Sequence, residues 1–419
     1  MSTNLRNPAD RRDYQARWTM RRGKELFREI DERSADGSEE LLSVSHITGI
    51  TPRSQKNVTM FQSESLVGYK ICRPGDIAAN TMWTWQGAIG VSDYFGVISP
   101  SYNVYRQRQD TYNPRYLDFL LREPKLVDVY YSLSTGIRPS RRRLYPDEFL
   151  TILFPVPPRA EQDKIVRFLN EKANAIDEII ATRQKQIDEL HELRKTIINR
   201  AVTRGISRAE NAKDEPSDVQ LPNGWKMRRL KTIVSCNDEA LSDNTPGDQR
   251  INYVEISDVN ESNGIFATEE YLFKDAPSRA RRITRKGDVI ISTVRTYLKA
   301  IASIDKDDLI VSTGFAVLRA KGEVLPVFLS YAVKSEELKN AIIRCSCGVS
   351  YPAINASRLV NLAIPLPPVD EQREIAAYLD VKCAAIDKAI ENRKAAIEEL
   401  VALKARIVAD AVTGRMEVE

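Results

Sequence analysis

Apolar residues recur three and four positions apart along two long stretches of the chain. In the first they fall at Leu169, Ile176, Ile180, Ile187, Leu190 and Ile197, and in the second at Leu379, Ile386, Ile390, Ile397, Leu400 and Ile407. A stripe repeating every 3.5 residues stays on one side of a slightly underwound helix, so each stretch reads as a coiled-coil seam of about five heptads. A proline pair precedes each, Pro157-Pro158 and Pro367-Pro368, and holds the backbone extended until a helix can begin. The pattern predicts helices of roughly 40 residues, on the order of 60 Å at 1.5 Å per residue. Arg183 and Arg194 interrupt the first stripe where Arg393 and Lys404 interrupt the second. Long cations in a seam favour a defined register at some expense in stability, so each helix is expected to pair with the other.

The two stretches are copies of one another. PVPPRAEQDK begins at Pro155 and PLPPVDEQRE at Pro365, an offset of 365 − 155 = 210 that holds without a gap to Thr203 and Thr413. Such a run is an internal repeat. The repeat reaches beyond the helices: Trp18-Thr19-Met20-Arg21-Arg22 matches Trp225-Lys226-Met227-Arg228-Arg229, and Arg73-Pro74-Gly75-Asp76-Ile77 matches Arg285-Lys286-Gly287-Asp288-Val289. SPSYNVYR (Ser99 to Arg106) and STGFAVLR (Ser312 to Arg319) read as strands, while Asn113-Pro114 and Leu325-Pro326 each open an expected helix of about a dozen residues. The expectation is therefore an α+β chain: two globular domains of mixed strands and helices, separated by two long helices, with an internal pseudo-two-fold repeat. Its boundaries are 1–154 for the first domain, 155–206 for the first long helix, 207–222 for a polar linker, 223–364 for the second domain and 365–419 for the second helix and C-terminus. Residues 1–17 are polar and read as an arm or short helix.

A length of 419 residues exceeds a single core, in line with two halves. The net charge of +4 is mild, so any nucleic-acid surface must be a local patch rather than a global field. Cys72, Cys236, Cys345, Cys347 and Cys383 lack the paired spacing of a zinc site, and His46 and His191 lie far apart. No metal or cofactor is expected. The N-terminus lacks an apolar leader and no apolar run is long enough to span a bilayer, so a cytoplasmic protein without membrane contact is the expectation.

Motifs for catalysis are missing. There is neither a GxxxxGK[ST] phosphate loop nor a GxGxxG fingerprint. Asn113-Pro114-Arg115-Tyr116 has a superficial likeness to the Asn-Pro-Pro-Tyr loop of adenine methyltransferases, and Asp147-Glu148 lacks the spaced lysine of a nuclease. What remains suits recognition. Arginines cluster at Arg138, Arg141, Arg142 and Arg143, and again at Arg279, Arg281, Arg282 and Arg285, and both phosphate oxygens and guanine edges favour that side chain. Past the shared Gly-Asp turn the halves diverge on one frame: Trp83, Trp85, Gln86 and Gly87 stand where the second half has Arg295, Tyr297, Leu298 and Lys299. A second pair of tips contains Gly136 to Pro139 in one half and Gly348 to Pro352, with Ser350 and Tyr351, in the other. The candidate DNA contacts are thus Trp83, Trp85, Gln86, Arg138, Arg141, Arg142, Arg143, Arg295, Tyr297, Lys299, Ser350 and Tyr351. A methyltransferase or nuclease acting alone, and a coiled-coil adaptor that touches no nucleic acid, are the competing readings.

PLPPVDEQREIAAYLD, the pairs Ile176-Asp177 and Ile386-Asp387, GDVIISTVRTYLKA and GVSYPAI together resemble the specificity subunits of Type I restriction-modification systems. That resemblance implies a non-catalytic subunit whose two target recognition domains flank an antiparallel helix pair. Each domain would read one half of a bipartite, asymmetric site on double-stranded DNA, and the helices would set the gap. It also implies two modification subunits, which are adenine methyltransferases, docked on the helices, with restriction subunits adding cleavage. The first half departs from the family's usual tips, with MWTWQG and SRRRLYP in their places.

Overall fold

The computed structural model describes residues 18–55, 65–136, 142–206, 221–348 and 350–418. The expected N-terminal arm and most of the expected linker lie outside these. Internal contacts divide the chain into two compact units, Met1–Thr182 with Ala396–Glu419, and Arg183–Ala395. Each long helix is therefore shared between the units rather than standing apart from both. The helices run Arg159–Arg204 and Val369–Thr413, about 70 Å each and somewhat longer than the seam alone suggests.

In the first unit, Thr19–Arg22 pairs antiparallel with Leu153–Val156 and brings the two ends of the globular part together. A four-stranded antiparallel sheet follows in the order Phe27–Ile30, Asn103–Gln107, Ile77–Ala79, Ile89–Val91. Its core is aromatic: Tyr105 stacks on Phe149 at 4.4 Å and Phe27 meets Phe154 edge-on at 5.4 Å. Rings of this size bury much apolar area but must satisfy their hydroxyls. Tyr112 does so by donating to the Pro155 carbonyl, and Tyr116 by donating to that of Val412 on the second long helix.

The expected helix after Asn113 is two helices, Pro114–Leu121 and Pro124–Leu133. Pro124 forces Glu123 into an extended conformation, and the buried Glu123 carboxylate then accepts the Leu126 N–H. The second half breaks at the same place with Ser335 as the cap, giving Pro326–Ala332 and Glu336–Cys345.

The second unit repeats the plan. Lys226–Arg229 pairs with Ala363–Leu366, and a sheet runs in the order Val234–Cys236, Phe315–Ala320, Val289–Ser292, Ile301–Ser303. It carries a further four-stranded sheet, Glu269–Leu272, Arg250–Val254, Leu309–Ser312, Ala280–Ile283, in which Arg250–Val254 and Leu309–Ser312 are parallel. Its main core buries Phe328, Leu329, Leu318 and Ile291.

Small polar devices occur twice. The indole of Trp18 donates to Glu161 and that of Trp225 to Glu371. Buried Gln162 and Gln372 each accept a backbone N–H from the domain, Asn113 and Leu325, at 2.8 Å. Asp76 and Asp288, almost wholly buried, are each gripped by two guanidinium bonds, from Arg106 at 2.6 and 2.8 Å and from Arg319 at 2.9 and 2.8 Å.

The seam positions face inward. Leu169, Ile176, Ile187, Leu379, Ile386 and Ile390 are buried, and Ile180, Leu190, Ile197, Ile397, Leu400 and Ile407 are half-buried. The pairing is antiparallel in both units. Lys404 bridges to both oxygens of Asp177 at 2.7 Å in the first. In the second, Arg393 donates to Gln186 at 3.0 Å while Arg194 lies 3.6 Å from Asp387. The seam cations thus set register through partners on the opposite helix, and the Asp177–Lys404 pair is the Asp387–Arg194 pair repeated at an offset of 210. The ends of the helices are absorbed into globular cores, Ala411 and Val412 into the first and Ile198, Ala201 and Val202 into the second. Among the described residues no helix is long and apolar enough to cross a membrane.

Candidate nucleic-acid interface

In the second unit, strand Val289–Ser292 runs into a single turn, Thr296–Leu298, flanked by Arg295 and Lys299 in left-handed conformations at φ 50° and 49°. Side chains other than glycine avoid this region, so the surroundings must hold the loop there. Backbone bonds from Ile354 to Thr293 and from Thr296 to Pro352, and a hydroxyl bond between Thr296 and Ser346, tie the loop to the turn ahead of Ile354. This brings the Arg295 guanidinium over the Tyr351 ring, 5.3 Å from its centre. Both line a cavity of about 450 Å³ with Arg279, Val294, Glu255, Ile256 and Ser257. The Glu255 carboxylate is already engaged by the Tyr253 hydroxyl and the Ile256 N–H, and no carboxylate among the described residues pairs with Arg295. A guanidinium lying over an aromatic face keeps its edge donors open and pre-oriented.

In the first unit the matching turn is Thr84–Gln86, closed by Gly87 at φ 87°. Trp83 and Trp85 lie nearly parallel at 6.2 Å, Trp85 meets Tyr131 at 5.9 Å, and Arg142 lies over the Tyr131 ring at 4.2 Å. The Trp85 indole donates to the Met82 carbonyl, which fixes the ladder to its own loop. The backbone bridge between Thr135 and Arg143, with the Leu144 N–H donating to Thr81, brings the two tips together as in the second unit. The frame is shared, but its chemistry differs: the first unit carries Trp83 and Trp85 on the strand loop and Arg142 on the turn, and the second carries Arg295 and Tyr297 on the strand loop and Tyr351 on the turn.

Residues 222–399 match the family model described as the Type I restriction modification DNA specificity domain. The chain is 23% identical over 337 residues to the Type I restriction enzyme MjaVIII specificity subunit of Methanocaldococcus jannaschii, covering 77% of this chain and 75% of that one. It is 24% identical over 310 residues to the EcoBI specificity subunit of Escherichia coli, with 70% and 64% covered. A solved chain from a type I R-M system overlays with a TM-score of 0.67 at 20% identity, covering 96% of this chain and 99% of that one. The HsdS subunit of Thermoanaerobacter tengcongensis overlays at 0.50, also at 20% identity, covering 96% and 98%. Residues 222–399 thus carry the signature of a Type I DNA specificity domain, and the chain as a whole is similar to specificity subunits. The relatives it matches are specificity subunits, a non-catalytic component of such systems. Asn113 fits that assignment: its side chain accepts the Arg115 and Tyr116 N–H groups and donates to Asp163 at 2.7 Å, so it caps a helix and joins it to the first long helix.

The other candidate residues fall into distinct places. Gln86, Arg143, Tyr297 and Ser350 are exposed beside the tips, Tyr297 at 53% and Tyr351 at 67%. Arg138 and Arg141 lie outside the described residues. Lys299 pairs with Glu336 at 3.5 Å and Glu261 at 4.0 Å. The second arginine cluster is mostly committed to the fold: Arg281 covers Phe273, Arg282 donates to the Phe315 carbonyl and Arg285 binds Glu239, which leaves Arg279 beside the Arg295 cavity. Tyr131 was missed by the motif reading. Its signal was helical period, which turns Tyr130 into the core and Tyr131 outward.

Proposed function

We propose that this specificity subunit reads double-stranded DNA, each unit contacting one half of a bipartite, asymmetric site through its paired tips. The observation carrying the reading is the repeated loop-and-turn frame that presents different exposed cation and aromatic groups in the two halves. Similar mounting with different chemistry is what two readers of unlike sequences require. Arg295 supplies a fork that can meet guanine O6 and N7, whereas Trp83 offers apolar and stacking contact. The paired helices set the gap between half-sites and provide the surface on which two modification subunits dock, with restriction subunits joining the same complex in the cytoplasm. Methylation and cleavage belong to those partners. Tethering two weak readers raises the effective concentration of the second once the first is bound, so tight binding needs both half-sites.

Gel-shift binding by the complex with its modification subunit tests this at several salt concentrations. Affinity for a site carrying both halves falls steeply with salt, because phosphate contacts release counterions. Salt-insensitive binding, or none, contradicts the proposal, and methyl transfer by the chain alone would favour the lone-enzyme reading instead.

A further inference from the structure

Lys299 ends the second unit's strand loop in a left-handed conformation, where the first unit places Gly87. Glycine adopts that conformation freely and lysine does not. The ammonium is held by two carboxylates, Glu336 and Glu261. Both also bind Lys339 at 2.5 Å, and Lys339 is only 4% exposed. Glu261 further reaches Lys195 on the first long helix at 3.8 Å. Burial pushes the Glu336 carboxyl up, but the Lys339 and Lys299 contacts outweigh it and hold the group below its ordinary value. At an offset of 212 the first unit has Gly87 and Val127 in place of Lys299 and Lys339, and a Cβ on Gly87 would lie 3.4 Å from a Val127 methyl. One half therefore closes this junction with apolar contact, the other with a partly buried ionic network around Lys339. Buried ion pairs add little net stability but fix geometry strongly.

We propose that Lys299 is a positioning residue for the second reader. Through Glu261 and Glu336 it locks the 293–299 loop in its strained form, aims Arg295 beside Tyr351, and links that loop to the long helix at Lys195. The inference rests on the DNA-reading proposal and assigns Lys299 no contact with DNA.

The test uses the complex assembled with its modification subunit and compares the cognate site with sites altered at one base in either half. Lys299→Ala is expected to lower discrimination in the second half about tenfold, within the range of one base contact, with discrimination in the first half and the salt slope unchanged. Lys299→Gly, which removes the backbone strain as well as the ammonium, loses the same discrimination, and Lys299→Arg restores most of it. Uniformly weaker binding with a salt slope reduced by about one would make Lys299 a phosphate contact and overturn the inference. So would wild-type discrimination in Lys299→Gly, or a lowered melting temperature with discrimination intact. A wild-type complex without half-site preference would instead overturn the DNA-reading proposal, a result visible before any variant is made.

Discussion

At the residue scale, the fold engages some arginines and leaves others, Arg295 among them, open to the proposed reading. Arg295→Ala is expected to lose about 1–3 kcal/mol of discrimination at a single base of one half-site, and Arg295→Lys to recover only part, because an ammonium lacks the planar fork. Competition binding against single-base variants measures both. Arg319 has the opposite duty. Arg319→Met leaves the Asp288 carboxylate buried without its partner and beside Glu239, a loss of about 3–5 kcal/mol in urea unfolding. Lys334 gives a pH signature. Burial, with the Arg194 charge next, brings its ammonium down to about 8, while an unfolded lysine keeps its proton to about 10.4. Between those values the unfolded state binds the extra proton, so stability rises with pH, and Lys334→Met flattens that rise in melting curves taken at pH 8 and 10. Which arginines the fold engages was not legible from clustering. Arg281, Arg282 and Arg285 share a strand and turn; Arg282 and Arg285 find their partners, Phe315 and Glu239, 33 and 46 positions away, and Arg281 covers the nearby Phe273.

At the scale of elements, the long helices were legible because a 3.5-residue period and a proline stop are local signals. Their antiparallel pairing fixes the Asp177–Lys404 and Asp387–Arg194 pairs, which the Ile-Asp motifs held without revealing the partner. The break at Glu123 and Pro124 was also present in the residues, yet a continuous apolar face hid it. The second unit's extra sheet was not legible, since its strands pair across long separations and one pairing is parallel. Ile187 is 3% exposed in the seam. Ile187→Asp buries an unpaired charge there, and circular dichroism on heating is expected to show earlier melting together with lost assembly with the modification subunit. Unaltered melting and assembly would remove Ile187 from the pairing surface.

At the scale of the whole molecule, duplication explains both what is shared and what differs. Trp18 with Glu161, Trp225 with Glu371, and Gln162 and Gln372 recur as joints that hold each domain to its helix, and the Asp76 and Asp288 clasps recur within the domains themselves. The tips diverge at exposed positions, Trp83 in the first unit and Arg295 in the second. On the proposed function, a domain attached through repeated joints and carrying its own tips would be an exchangeable reader. The most direct measurement is the methylation pattern laid on DNA by the assembled complex, before and after residues 18–154 are replaced by the corresponding domain of a relative. One half of the modified site should change while the other half and the gap between them persist. A pattern in which both halves change, or neither does, would contradict the account.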